Sequence, residues 1–218
     1  MTDSRNSAAA FMVLAAPFFV NDFGFIAADG GYGVYLVDYG TRALVLALCF
    51  LWALPRGIVL ARPDVPASPW FAPWFALIAI AVLLALGRLS YYLIEVPFVA
   101  ATGLGGLFAF PAIDDPTLMW LDLTLGVFAV ALSEELVFRK LALRWLEDAG
   151  RSPLQIVVIS ALAFSLMHWA SGVPRLLYTF AVGLIYMAAY LRLKSLWPLI
   201  AAHWLEDFIA FGGLGALD

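Results

Sequence analysis

The stretch LTLGVFAVALSEELVFRKLAL, residues 123–143, decides the fold. Glu134, Glu135, Arg139 and Lys140 stand inside an otherwise apolar run, and that run is part of a longer one over about 117–146. About 20 mostly apolar residues suffice to span a bilayer as a helix. A charge at the centre of such a helix costs about 2.5–3.5 kcal/mol on insertion scales, so charges kept there mark a functional site by default.

The rest of the chain supports a membrane setting. Of 218 residues, 64% are hydrophobic and only 13% charged. Soluble domains hold about 25% charged residues, and a chain of this size cannot hide such an apolar excess in one core. A water-soluble globule and a disordered chain are both excluded. The net charge of −4 and the absence of a basic stripe argue against nucleic acid as a partner. The single cysteine, Cys49, rules out a disulfide framework and a cysteine-rich metal site, and reads as a small core hydrophobe.

Seven spans are predicted, over about 8–27, 34–54, 71–87, 117–146, 154–170, 173–192 and 196–212. The fold class is therefore all-α, a polytopic transmembrane bundle. The ten-residue alternation of a barrel is missing. Asn21 and Asp22 interrupt the first span, where a cleaved signal peptide is the rival reading; the charge-poor start favours a retained helix. Residues 88–116 read as an irregular outer loop, with a short interfacial helix from Ser90 to Val99. The division falls into an N-terminal part, 1–116, and a C-terminal core of four helices, 117–212.

Lys and Arg prefer cytoplasmic loops. With the N-terminus inside and seven crossings, nine basic residues fall inside, Arg88 and Arg175 fall outside, and Arg42 lies within a helix. The expected topology is N-terminus cytoplasmic and C-terminus outside, in a bacterial inner membrane. The ten Arg against two Lys hint at a GC-rich source.

Both histidines lie in apolar spans of the C-terminal half. His168 closes the fifth span, and His203 opens His203-Trp204-Leu205-Glu206-Asp207 in the seventh. Residues three or four apart share a helix face, so Glu135 can pair with Arg139 and His203 with Asp207. The turn at 148–153 lies midway between Glu134 and His168, which sets those two level on adjacent antiparallel helices. From the 192–195 turn, His203 and Asp207 stand roughly 12–20 Å up the seventh helix. The polar groups are expected to converge on one cavity open to the cytoplasmic side. Such a set suits hydrolysis by activated water, with a glutamate as general base and an imidazole donating to an oxyanion. Glu134, His168 and His203 would alternatively ligate a divalent metal such as zinc.

At these residues the sequence resembles the CPBP (CAAX protease and bacteriocin-processing, Abi-type) family of intramembrane proteases. Glu134, Glu135 and Arg139 match its Glu-Glu-x-x-x-Arg motif, Phe164 and His168 its Phe-x-x-x-His, and His203 and Asp207 its His-x-x-x-Asn/Asp. Ser195-Leu196-Trp197-Pro198, ahead of the third motif, is also similar. The resemblance covers about residues 118–212 and leaves the front three helices outside.

The resemblance implies an intramembrane endopeptidase acting on a membrane-associated peptide or protein. Glu134 and His168 would activate water, and His203 with Asp207 would stabilise the oxyanion. Glu135, Arg139 and Phe164 would be supporting residues. A metal-free glutamate mechanism is the expectation, with zinc on Glu134, His168 and His203 as the alternative. The eukaryotic-type CAAX enzymes place Asn where this chain has Asp207; an ionised Asp cannot donate a hydrogen bond. Two other functions compete: a proton-coupled transporter, and a catalytically silent immunity or binding protein on the same scaffold. Asp38 and Arg42 read as a structural i,i+4 pair, Asp122 as a residue near the outer surface, and Glu206 as structural.

Overall fold

The computed structural model describes residues 4–28, 31–56 and 73–213. Among them the chain is all-helical and forms seven rods: α1 (Ser4–Ala27), α2 (Gly33–Arg56), α3 (73–102), α4 (116–148), α5 (Pro153–Leu166), α6 (Gly172–Leu193) and α7 (Trp197–Phe211). Four of them, α1, α2, α3 and α6, are long and apolar enough to cross a membrane by length and composition. The remaining three differ for visible reasons. α4 carries Asp122, Glu134, Glu135, Arg139 and Lys140, while α5 and α7 run for 14 and 15 residues. Leucines such as Leu36, Leu51, Leu77 and Leu93 stay exposed on the outside of the bundle, where lipid tails are the matching solvent.

The helix ends follow local chemistry. Asp115 caps α4 by accepting the Leu118 N–H at 2.9 Å, with Pro116 in the first turn, where its missing N–H costs nothing. Ser152 and Gln155 form a reciprocal capping box ahead of α5. Gly150, at φ +68°, closes the α4–α5 turn.

α3 is longer than its sequence suggests. The helix does not stop at residue 87 to leave a loop and a separate short helix from Ser90; it continues to Thr102. A wide π turn over Tyr91–Glu95 precedes Pro97 and absorbs the backbone hydrogen bond that the proline cannot make. Gly103, at φ +66°, then ends the rod, and the irregular segment shrinks to 103–115. The fifth helix departs the other way. It ends at Leu166 rather than 170, and a 3₁₀ turn over Trp169–Ser171 leads into α6.

One buried core joins both halves of the chain, running from Phe11, Leu14 and Phe18 of α1 to Phe138 and Leu141 of α4 and Tyr186 and Met187 of α6. Phe11 stacks on Trp145 with ring centres 4.7 Å apart, and Phe18 meets Phe138 edge-on at 5.4 Å. These contacts set α1 antiparallel to α4 along its length. Close packing needs small residues: a side chain at Gly183 would meet the Ala161 backbone at 2.9 Å, and one at Gly87 would strike the Glu206 carboxylate. Glu206 accepts the Tyr178 hydroxyl at 2.5 Å.

Candidate functional site

α4 carries the two glutamates on neighbouring positions, so their side chains leave the rod in different directions. Glu134 is 2% exposed and Glu135 fully buried. The Glu135 side chain meets Arg139 one turn on, with Nε 3.2 Å from Oε2. This guanidinium lies 4.3 Å over the Phe164 ring and 5.8 Å from that of Tyr186, a cation clamped between aromatic faces. A π turn over Leu136–Leu141 carries Arg139, and Ser160 of α5 donates to the Phe138 carbonyl within it at 2.5 Å.

Glu134 points elsewhere. Its Oε1 is 2.9 Å from Arg42 Nη2, and the same nitrogen lies 3.0 Å from Asp38. Arg42 is thus more than the partner of Asp38: α2, outside the resembling segment, reaches the central carboxylate. Sequence reasoning does not find this contact, because the two residues are 92 positions apart. Its one available signal is a charge pair held inside an apolar helix.

His203 joins the two carboxylates. Its Nδ1 is 3.0 Å from Glu135 Oε1, while Nε2 is 3.7 Å from Glu134 Oε2 and 3.6 Å from Asp207 Oδ2. The expected Glu135–Arg139 and His203–Asp207 pairs both form, and the histidine ties them together.

His168 stands off the helix. With φ −99° and ψ 25°, it occupies the break between α5 and α6, in the sparsely populated bridge region that many active-site residues adopt. Its Nδ1 is 3.0 Å from the Phe164 carbonyl. A carbonyl only accepts, so Nδ1 donates and the neutral ring keeps Nε2 free as an acceptor. Phe164 packs edge-on against both imidazoles, at 5.2 Å from His168 and 6.2 Å from His203.

Glu134, His168, His203 and Asp207 line one cavity of about 360 Å³. Asn21 and Asp22 of α1, Tyr35, Asp38 and Arg42 of α2, and Glu95 of α3 complete its wall. Asp22 also accepts the Ala170 N–H at 2.9 Å, tying α1 to the turn after His168. Asp122 is buried. It lines the cavity and accepts the Tyr39 hydroxyl.

The segment 103–115 crosses the cavity mouth. Tyr35 donates to the Pro111 carbonyl at 2.7 Å, Leu107 N–H donates to Ala170, and Phe110 packs on Phe25 and Phe211. The mouth therefore lies at the end of the bundle away from the basic 148–153 and 193–196 turns. The expectation from the sequence is an opening on the cytoplasmic side. Fourteen or more helical residues separate Glu134 from the turn below it, which is most of a bilayer's thickness.

The zinc alternative fits poorly. Both imidazoles have the outer hydrogen bond that orients a metal-ligating histidine. Yet Glu134 Oε1 is bound to Arg42, and among the described residues no three His, Cys, Asp or Glu side chains come together as a metal cage.

Residues 116–209 match a family model described as Type II CAAX prenyl endopeptidase Rce1-like. No curated protein and no solved structure matches the chain. The matched segment begins with α4 and ends within α7, so it holds Glu134, His168, His203 and Asp207 but not Arg42.

Proposed function

We propose, from the premise that residues 116–209 are a core of the CPBP membrane-protease family, that this integral membrane protein is an endopeptidase. It hydrolyses a peptide bond of a membrane-associated peptide or protein within the bilayer. The observation that carries the reading is the cluster at Glu134. One carboxylate is held by a guanidinium on one side and stands 3.7 Å from an imidazole on the other, at the wall of a 360 Å³ cavity.

The chemistry follows from the partners. Arg42 binds one carboxylate oxygen, leaving Oε2 towards the cavity and His203. Water between Glu134 and the free Nε2 of His168 gives a proton to the carboxylate as its oxygen attacks the peptide carbonyl. The carbonyl electron pair moves onto oxygen, making a tetrahedral oxyanion. His203 faces it with Nε2–H, the ring being oriented by Glu135 at Nδ1, while the Asp207 carboxylate stands 3.6 Å from Nε2. When the C–N bond breaks, the departing amine takes the proton from Glu134, and the carboxylate is restored. Asp207 acts here through its charge: an ionised carboxylate 3.6 Å from Nε2 balances a doubly protonated His203 and leaves the Nε2–H to the oxyanion. Glu135, Arg139 and Phe164 position the histidines. No step in this scheme calls on a metal ion or an organic cofactor.

The test is direct cleavage. Purified protein in lipid nanodiscs, mixed with a set of single-span peptides, should cut at defined bonds seen by mass spectrometry. Cutting should persist in a strong chelator of divalent metals. Absence of any cleavage, with substrate-driven proton uptake in proteoliposomes, would instead support the transporter reading.

A further inference from the structure

The ends of the bundle carry opposite charge. Arg56, Arg144, Arg151, Arg192 and Lys194 lie at the end formed by the 148–153 and 193–196 turns. The cavity end carries Glu95, Asp114 and Asp115; Arg175 there is bound to Glu95 at 3.1 Å, and Arg88 lies further along α3 against Tyr92. Basic residues concentrate on the cytoplasmic side of membrane proteins, so the cavity mouth faces away from the cytoplasm.

The interior has its own charge bias. Among the described residues, six carboxylates line the cavity against two guanidiniums and two imidazoles. Both guanidiniums are engaged, Arg42 by Asp38 and Glu134 and Arg175 by Glu95. Among the described residues, Asp22 and Asp122 accept hydrogen bonds from neutral donors, the Ala170 N–H and the Tyr39 hydroxyl. Asn21, 6% exposed and on the same wall, has a buried Oδ1 with no hydrogen-bond partner. These groups ask for a donor that brings positive charge. Arg42, 7% exposed, keeps Nε and Nη1 without partners, and they suit a peptide carbonyl of the same segment.

We infer that the cavity takes a cationic peptide segment, bearing a Lys or Arg side chain or a free amino terminus, presented from the non-cytoplasmic face of the membrane. Resting on the endopeptidase reading, this names its substrate class: membrane-tethered polypeptides whose cleaved segment lies outside the cytoplasm. A carboxylate-ended substrate meets repulsion at Asp22 and Asp122, where a lysine ammonium finds acceptors.

Two measurements test it, and the first does not depend on hydrolysis. In a Cys49→Ala background, Ala109→Cys in the mouth segment and Ala149→Cys in the basic turn are treated with a membrane-impermeant maleimide in intact spheroplasts. Labelling of Ala109→Cys, with Ala149→Cys labelled only after permeabilisation, is expected; the reverse pattern overturns the assigned face. The second compares two micelle-bound peptides of the same apolar sequence, one carrying two lysines and one carrying two glutamates, for binding to the Glu134→Gln protein. The lysine peptide should bind at least tenfold tighter, and adding Asp22→Asn and Asp122→Asn should erase the difference. Equal affinity, or preference for the glutamate peptide, overturns the charge assignment. Should the wild type label as expected, bind the lysine peptide and cut nothing, the endopeptidase reading fails while the binding assignment stands.

Discussion

Glu134→Gln is expected to lower kcat for peptide cleavage by on the order of 10³-fold, the range for loss of a general base, with KM changed little. The substitution is chosen because it keeps the shape of the site. The amide oxygen still accepts from Arg42 Nη2, which lies 2.9 Å from Oε1. The residue is 2% exposed and packs as before, so insertion and melting should match the wild type. What disappears is the ability to hold a proton between attack and departure of the amine. Steady-state kinetics on a single-span peptide, with thermal unfolding in the same detergent, separate the two effects. A variant within tenfold of wild-type kcat would show that another group takes the proton.

The second large effect is on stability. Arg139→Met removes the guanidinium that meets Glu135, where both side chains are fully buried. Removing one partner of a buried pair costs about 3–5 kcal/mol, because the other charge stays behind uncompensated. For a chain of this size that is a fall in Tm of about 10 °C. Packing contributes as well, because the Arg139 guanidinium fills the space between Phe164 and Tyr186. His203 Nδ1 would remain beside Glu135 but does not fill the space or supply the fixed charge of the guanidinium. The double variant Glu135→Gln, Arg139→Met should recover more than half of the loss, since it removes the stranded charge. Differential scanning fluorimetry on the three variants measures this. An Arg139→Met protein that melts with the wild type would mean that the pair has no structural weight.

The parts of the site that are legible in the sequence are those that local spacing dictates. One turn of helix sets Glu135 against Arg139 and His203 against Asp207, and both pairs form. Counting outward from the 148–153 turn brings Glu134 and His168 to one cavity. The seven rods are legible because apolar runs of that length have only one solution in lipid.

What is not legible comes from tertiary contact and from backbone detail. Arg42 reads as a local partner of Asp38, and nothing in its spacing points to Glu134 on another helix. Asp122 and Asp22 read as marginal or disruptive, yet both line the cavity, since a polar residue in a membrane helix can face inward at any depth. Pro97 and its neighbours look like a loop, because sequence alone does not reveal a π turn that accommodates the proline. The side on which the cavity opens depends on where the bilayer ends relative to Glu134. Heights counted from the basic turn put His203 and Asp207 on either side of the bilayer middle, so spacing alone does not fix the side.

The central claim is that Glu134 activates water and does not itself attack the peptide. A single-turnover reaction in ¹⁸O water, with enzyme in excess, tests it most directly. The account predicts one ¹⁸O atom in the new carboxylate of the cleaved peptide and none in the protein. Label in the Glu134 side chain, with unlabelled product from the first turnover, would contradict it.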